Sequence, residues 1–178
     1  MRALADATRV RELMRALGKS AREPTSVYLT GGATAVLRGW RGSTVDVDIF
    51  VEPDLELLRS VPELKERLSI NVELASPRDF VPVASDWRSR SPFIERIGKV
   101  SFHHFDLHAQ ALSKVERGHE QDIADVRAML EGGDIDPRSM WRYHDQVAPE
   151  LYRYPALDSA ALERAMADVF GPRGEGDA

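Results

Sequence analysis

The chain has 178 residues, 43% hydrophobic and 30% charged, with a formal net charge of −5, which is about one globular domain with enough length to bury its own core. The lack of cysteine excludes disulfides, thiolate zinc sites and cysteine nucleophiles. The acidic balance argues against a protein that coats nucleic acid over its whole surface. No apolar run approaches the ~20 residues of a membrane span, and charges recur too early for a secretory leader, so a cytoplasmic location without a membrane partner is expected.

Residues 3–18 place Leu4, Val10, Leu13, Met14 and Leu17 at helical spacing, with Gly18 as the expected stop. The same stretch is basic: residues 1–22 hold Arg2, Arg9, Arg11, Arg15, Lys19 and Arg22 against Asp6 and Glu12, and Arg88, Arg90, Arg96 and Lys99 follow later. Such charge runs are commonest as solvated faces, though a basic lip could meet phosphates. After Pro24, Val27 to Thr30 reads as a short buried strand running into Gly31-Gly32, and Ala33 to Leu37 as the start of a helix. Gly39 to Gly42 is a turn. Residues 45–51 alternate, with Val45, Val47 and Ile49 on one face and Asp46 and Asp48 on the other. A helix is expected from Pro53 to Arg67, then a strand over 70–74 whose polar face carries Asn71 and Glu73. Residues 75–98 read as loop. Val100 to Leu107 reads as a strand, followed by helices over 107–117, about 120–131, between Pro137 and Pro149, and over 158–169. The class expected is α/β (α+β), a small mixed sheet flanked by helices with a helical C-terminal half.

Chemistry concentrates at three places. Gly31-Gly32, between strand and helix, lets backbone approach a ligand closely and points amide N–H groups at an anion, although the same pair also marks ordinary turns. Asp46 and Asp48 project from one strand face, roughly 6–7 Å apart along the backbone. Aspartate is a poor strand former, and like charges on one face repel. The pair makes sense when a hard cation lies between the carboxylates, as Mg²⁺ does with substrate phosphates. Lys114 and Arg117 share one helix face, and Asp122 and Asp125 share a face of the next; such cations can clamp a triphosphate, and surface salt bridging explains them equally well. Two of His103, His104 and His108 fit an exposed strand better than a metal cluster. Trp87, Trp141 and Tyr143, Tyr152 and Tyr154 fit packing better than base stacking. No Ser–His–Asp or nucleophile-elbow pattern is present.

Gly31-Gly32, thirteen further residues and then Asp46, Val47 and Asp48 with apolar flanks resemble the signature of the DNA-polymerase-β-type nucleotidyltransferase superfamily. Thr44 and the Lys114–Asp125 segment are similar to those of small AbiEii-like nucleotidyltransferases, the toxin type of toxin–antitoxin pairs. The resemblance covers about residues 27–130. The organisation expected is a nucleotidyltransferase core over 1–131 with the basic helix at its start, a C-terminal helical extension over 132–170 packed on the core, and a tail over 171–178 that lacks apolar content and should be frayed. The resemblance implies that Gly31, Gly32 and Thr44 hold the nucleotide, that Asp46 and Asp48 bind Mg²⁺ (or Mn²⁺), and that Lys114 and Arg117 neutralise phosphates. Asp122 would position Lys114 or the acceptor. Glu73 and Asp106 compete for the third carboxylate: Glu73 shares a polar strand face and is preferred as catalytic and metal residue, while Asp106 stands where a helix N-cap belongs. The implied substrate is an NTP, the acceptor a tRNA 3′ end or a protein hydroxyl, and the partner a cognate antitoxin. A catalytically silent nucleotide- or partner-binding module on the same fold is the rival reading.

Overall fold

The computed structural model describes residues 3–53 and 55–174, the side chain of residue 55 excepted. The chain divides into two compact units, residues 1–76 with 91–105, and residues 77–90 with 106–178. The helices after residue 106 fall in the second of these units.

The first unit is a five-stranded mixed sheet in the order β3-β2-β1-β5-β4. Its strands are β1 (Thr25–Thr30), β2 (Asp46–Glu52), β3 (Asn71–Leu74), β4 (Phe93–Ile97) and β5 (Val100–His104), and its helices α1 (Ala7–Ser20), α2 (Gly31–Leu37) and α3 (Leu55–Leu68). β1 runs antiparallel to β2 and parallel to β5, while β2 runs parallel to β3 and β4 antiparallel to β5. Alternation places Val27, Leu29, Val47, Ile49, Val72, Val100 and Phe102 on one face, in a single core with Val10, Leu13, Met14 and Leu17 of α1 and Leu57, Val61 and Leu64 of α3. Burying each such side chain fully contributes ~1.5–3 kcal/mol. The opposite face is left to Tyr28, Thr30, Asp46, Asp48, Phe50, Asn71, Glu73 and His103.

Local differences from the sequence reading have physical causes. α1 is capped by Asp6, whose carboxylate accepts the Arg9 N–H at 2.9 Å, and it continues past Gly18 to Ser20. Gly18 is a contact point rather than a stop: a Cβ there would lie 2.5 Å from Ile97 Cγ2. Val45 stands outside the core at 63% exposure, since β2 begins only at Asp46. The stretch expected to be loop contains a 3-10 turn at Pro77–Asp79, a short helix α4 (Trp87–Arg90) and strand β4. The missed signal for β4 is Gly98-Lys99, a two-residue hairpin turn with Gly98 at φ 59 between two apolar runs.

The second unit is helical: α4, α5 (Leu107–Arg117), α6 (Glu120–Glu131), α7 (Pro137–Val147) and α8 (Ser159–Phe170). Asp106 caps α5 by accepting the His108 N–H at 3.0 Å, and Gly118 ends it with φ 68. Asp136 and Ser139 form a reciprocal capping box on α7, with Pro137 in the first turn. The last four residues of the expected tail lie outside the described residues. Among the described residues no helix is long and apolar enough to cross a membrane.

Candidate functional site

β1 ends at Thr30, and the chain turns at once into α2 through Gly31, whose φ of 53 lies in the left-handed region that glycine tolerates best. The absence of side chains here is also a packing requirement. A Cβ on Gly31 would collide with the Asp48 carboxylate, and one on Gly32 would collide with the Thr44 hydroxyl and lie 3.1 Å from the Asp46 carbonyl. The two glycines therefore let the start of α2 press directly on the polar edge of β2. Thr44 is buried, and its hydroxyl donates to the Asp46 carbonyl at 2.9 Å, so it fixes the entry to β2.

The structure thus brings Gly31, Gly32, Thr44, Asp46 and Asp48 together. The parallel pairing of β2 with β3 adds two more residues, because Asn71 stands opposite Asp46 and Glu73 opposite Asp48. Asp46, Asp48 and Asn71 are half-buried, and Glu73 is exposed. The Asn71 side-chain amide donates to Asp46 Oδ1 and, at 3.3 Å, to Glu73 Oε1. Among the described residues no three carboxylate or imidazole groups converge on a common cation position. Glu73 therefore lies on the face without closing a three-ligand set with Asp46 and Asp48. Two hard carboxylates beside a bare glycine suit Mg²⁺ or Mn²⁺, which take their remaining oxygens from water and substrate phosphates.

Lys114, Arg117 and Asp122 belong to the second unit, where Lys114 has an occupation other than a phosphate clamp. It is 4% exposed, with Nζ 2.6 Å from Asp125 Oδ2 and 3.5 Å from Asp122 Oδ1. Arg117 Nε stands 3.4 Å from Asp122 Oδ2, and its guanidinium lies over the Phe80 ring. Asp125, the closest partner of Lys114, was visible in sequence only through its spacing from Asp122. Asp106 serves as the N-cap, with its second oxygen accepting from Arg90 Nε at 2.8 Å; it is fully buried. The basic lip is largely engaged: Arg9 donates to the Leu68 carbonyl, Arg11 pairs with Glu95 at 3.1 Å, Lys99 reaches the Arg22 carbonyl, and Arg90 is held by Asp106. Arg2 lies outside the described residues.

The three histidines separate: His103 and His104 lie on β5, where His104 is buried rather than exposed, and His108 lies on α5. His103 stacks on Tyr28 with centroids 5.2 Å apart, on the carboxylate-bearing face. His108, on α5, contacts Ser139 Oγ at 3.1 Å. His104 is buried against Thr34 Oγ1 at 3.1 Å. Desolvation, aided by the charges of Arg38 and Arg11, lowers its pKa from 6.5 to about 4. Between these values the unfolded chain takes up a proton that the folded chain refuses. Stability is therefore whole above about pH 6.5 and lost as pH falls towards 4, by about 3 kcal/mol at the lower end. Urea titrations at pH 7.5 and 5 should show this slope, and His104→Asn should flatten it; an equal slope in the variant would assign the effect to other groups.

The tight Gly-Gly turn set against the Asp-x-Asp strand in a mixed sheet agrees with the nucleotidyltransferase signature that the sequence resembles. The chain belongs to the family described as "Nucleotidyltransferase of unknown function (DUF6036)", whose sequence model matches residues 6–151. Among solved structures, the chain is similar to an antigenic nucleotidyltransferase-like protein from Paracoccidioides brasiliensis, with 15% identity and a TM-score of 0.47 over 94% of this chain and 99% of that one. Comparison with curated proteins finds no match.

Proposed function

We propose that the protein transfers a nucleoside monophosphate from an NTP to a hydroxyl acceptor, with a divalent cation held by Asp46 and Asp48. The observation that carries this reading is the contact of the Asp48 carboxylate with Gly31, a position where any side chain would displace it. Carboxylate charge and glycine backbone meet there, as a cation and a phosphate bound together require. When bound, Mg²⁺ or Mn²⁺ supplies charge neutralisation at the phosphate oxygens.

The remaining chemistry belongs to the chain. Gly31 and Gly32 bring the start of α2 against β2, so that backbone N–H groups rather than side chains meet the phosphates. The acceptor oxygen attacks the α-phosphorus in line, the new P–O bond forms, and the bond to pyrophosphate breaks. Glu73, exposed on the same face and directly opposite Asp48, takes the acceptor's proton. The reading rests on the first unit alone; the buried ion cluster of Lys114, Asp122 and Asp125 is not needed for it.

The acceptor is a tRNA 3′ end or a protein hydroxyl. With tRNA, the protein is the toxin-like member of a toxin–antitoxin pair and a cognate antitoxin is its partner. Incubation with each α-labelled NTP, Mg²⁺ and either total RNA or cell lysate should place label on one macromolecule. Absence of label from every fraction, with all four nucleotides, would contradict the transfer reading.

A further inference from the structure

Asn71 occupies an unusual place on this face. The β2–β3 register sets it directly opposite Asp46, with Glu73 two residues on and opposite Asp48. Its amide nitrogen donates to Asp46 Oδ1 and to Glu73 Oε1. Ionised carboxylates only accept, so the NH₂ end of the amide must face both, and its two N–H groups satisfy both without adding a proton to either acid. Two carboxylates brought to one place otherwise need a shared proton or a cation between them.

We propose that the Asn71 amide takes the place of a second cation: it bridges Asp46 and Glu73, and the face binds a single divalent cation at Asp46 and Asp48. The inference rests on the cation reading of Asp46 and Asp48 given above. A second cation joining Asp46 to Glu73 would need the oxygens towards which the amide hydrogens point. Asp46 and Asp48 would hold the one cation, and Glu73, engaged by the amide, would be left as the proton acceptor. The half-buried position of Asn71 at the start of β3, paired along its backbone with β2, holds the amide in register with both acids. Asn71 is thus a positioning residue that sets cation stoichiometry.

The test counts cations directly. Mn²⁺ is titrated into the full chain with a saturating non-hydrolysable NTP analogue, and free Mn²⁺ is read by electron paramagnetic resonance. The wild type should bind one Mn²⁺ per chain. Asn71→Asp, which exchanges the bridging donor for a further carboxylate, should bind two. Two Mn²⁺ in the wild type, or one in a folded Asn71→Asp chain, would overturn the role of Asn71 and leave the Asp46/Asp48 reading standing. No Mn²⁺ in the wild type would instead overturn the cation reading itself. Should Asn71→Asp fail to fold, as circular dichroism would show, the wild-type count still decides.

Discussion

Asp48→Asn should lower nucleotidyl transfer at least about a thousandfold, and it should do so without loss of stability. Cation-mediated neutralisation of a phosphoryl transition state is worth several kcal/mol, and each 1.36 kcal/mol is tenfold in rate. Asparagine keeps the volume and one oxygen of the side chain, so the contact with Gly31 survives while the charge is lost. Asp48 stands directly opposite Glu73 in the β2–β3 register, and like charges directly opposite destabilise a strand pair. The variant should therefore melt at the same temperature as the wild type or slightly higher. Transfer of label from an α-labelled NTP and a thermal melt of the same preparation check both halves. A variant with full activity, or one inactive only because it unfolds, would show that Asp48 does not carry the chemistry.

Lys114→Met should destabilise the protein by about 3–5 kcal/mol, the usual result of removing one partner from a buried ion pair. The side chains of Asp125 and Asp122 are 0% and 7% exposed, so water cannot replace the ammonium group. Arg117, 38% exposed and 3.4 Å from Asp122, can answer only part of the uncovered charge. Urea unfolding gives the magnitude directly. Adding Asp125→Asn to Lys114→Met should restore part of the loss, because the second change removes the carboxylate left unmatched. A loss below about 1 kcal/mol would place the lysine among surface pairs, which rarely matter for stability, and would release it for a ligand.

The carboxylate face was legible because strand periodicity is rigid. Once Asp46 and Asp48 are read on one side of β2 and Glu73 on the polar side of β3, any register that buries Val47, Ile49 and Val72 brings the acids to a common face. The helices, with their apolar spacing and the Asp106 cap, were likewise visible, while the caps supplied by Asp136 and Asp158 were not read. Side-chain partnership was not. Spacing cannot show that Lys114 is buried between two aspartates rather than turned to solvent, since the helical pattern i, i+3 serves both. Nor can it show that Thr44 gives its hydroxyl to the Asp46 carbonyl, or that Asn71 lies between Asp46 and Glu73. Strand β4 was hidden by Pro92 and by alternating charge in Glu95 and Arg96, which read as loop until β5 is there to pair with it.

Calorimetric titration of a non-hydrolysable NTP analogue, with and without Mg²⁺, tests most directly whether the face of β2 is a nucleotide–cation site. Binding should require Mg²⁺ in the wild type and vanish in the double variant Asp46→Asn, Asp48→Asn, whose fold should be intact. Binding that is equally strong without Mg²⁺, or unchanged in the double variant, would contradict this account and favour a nucleotide-binding module whose ligand lies elsewhere on the chain.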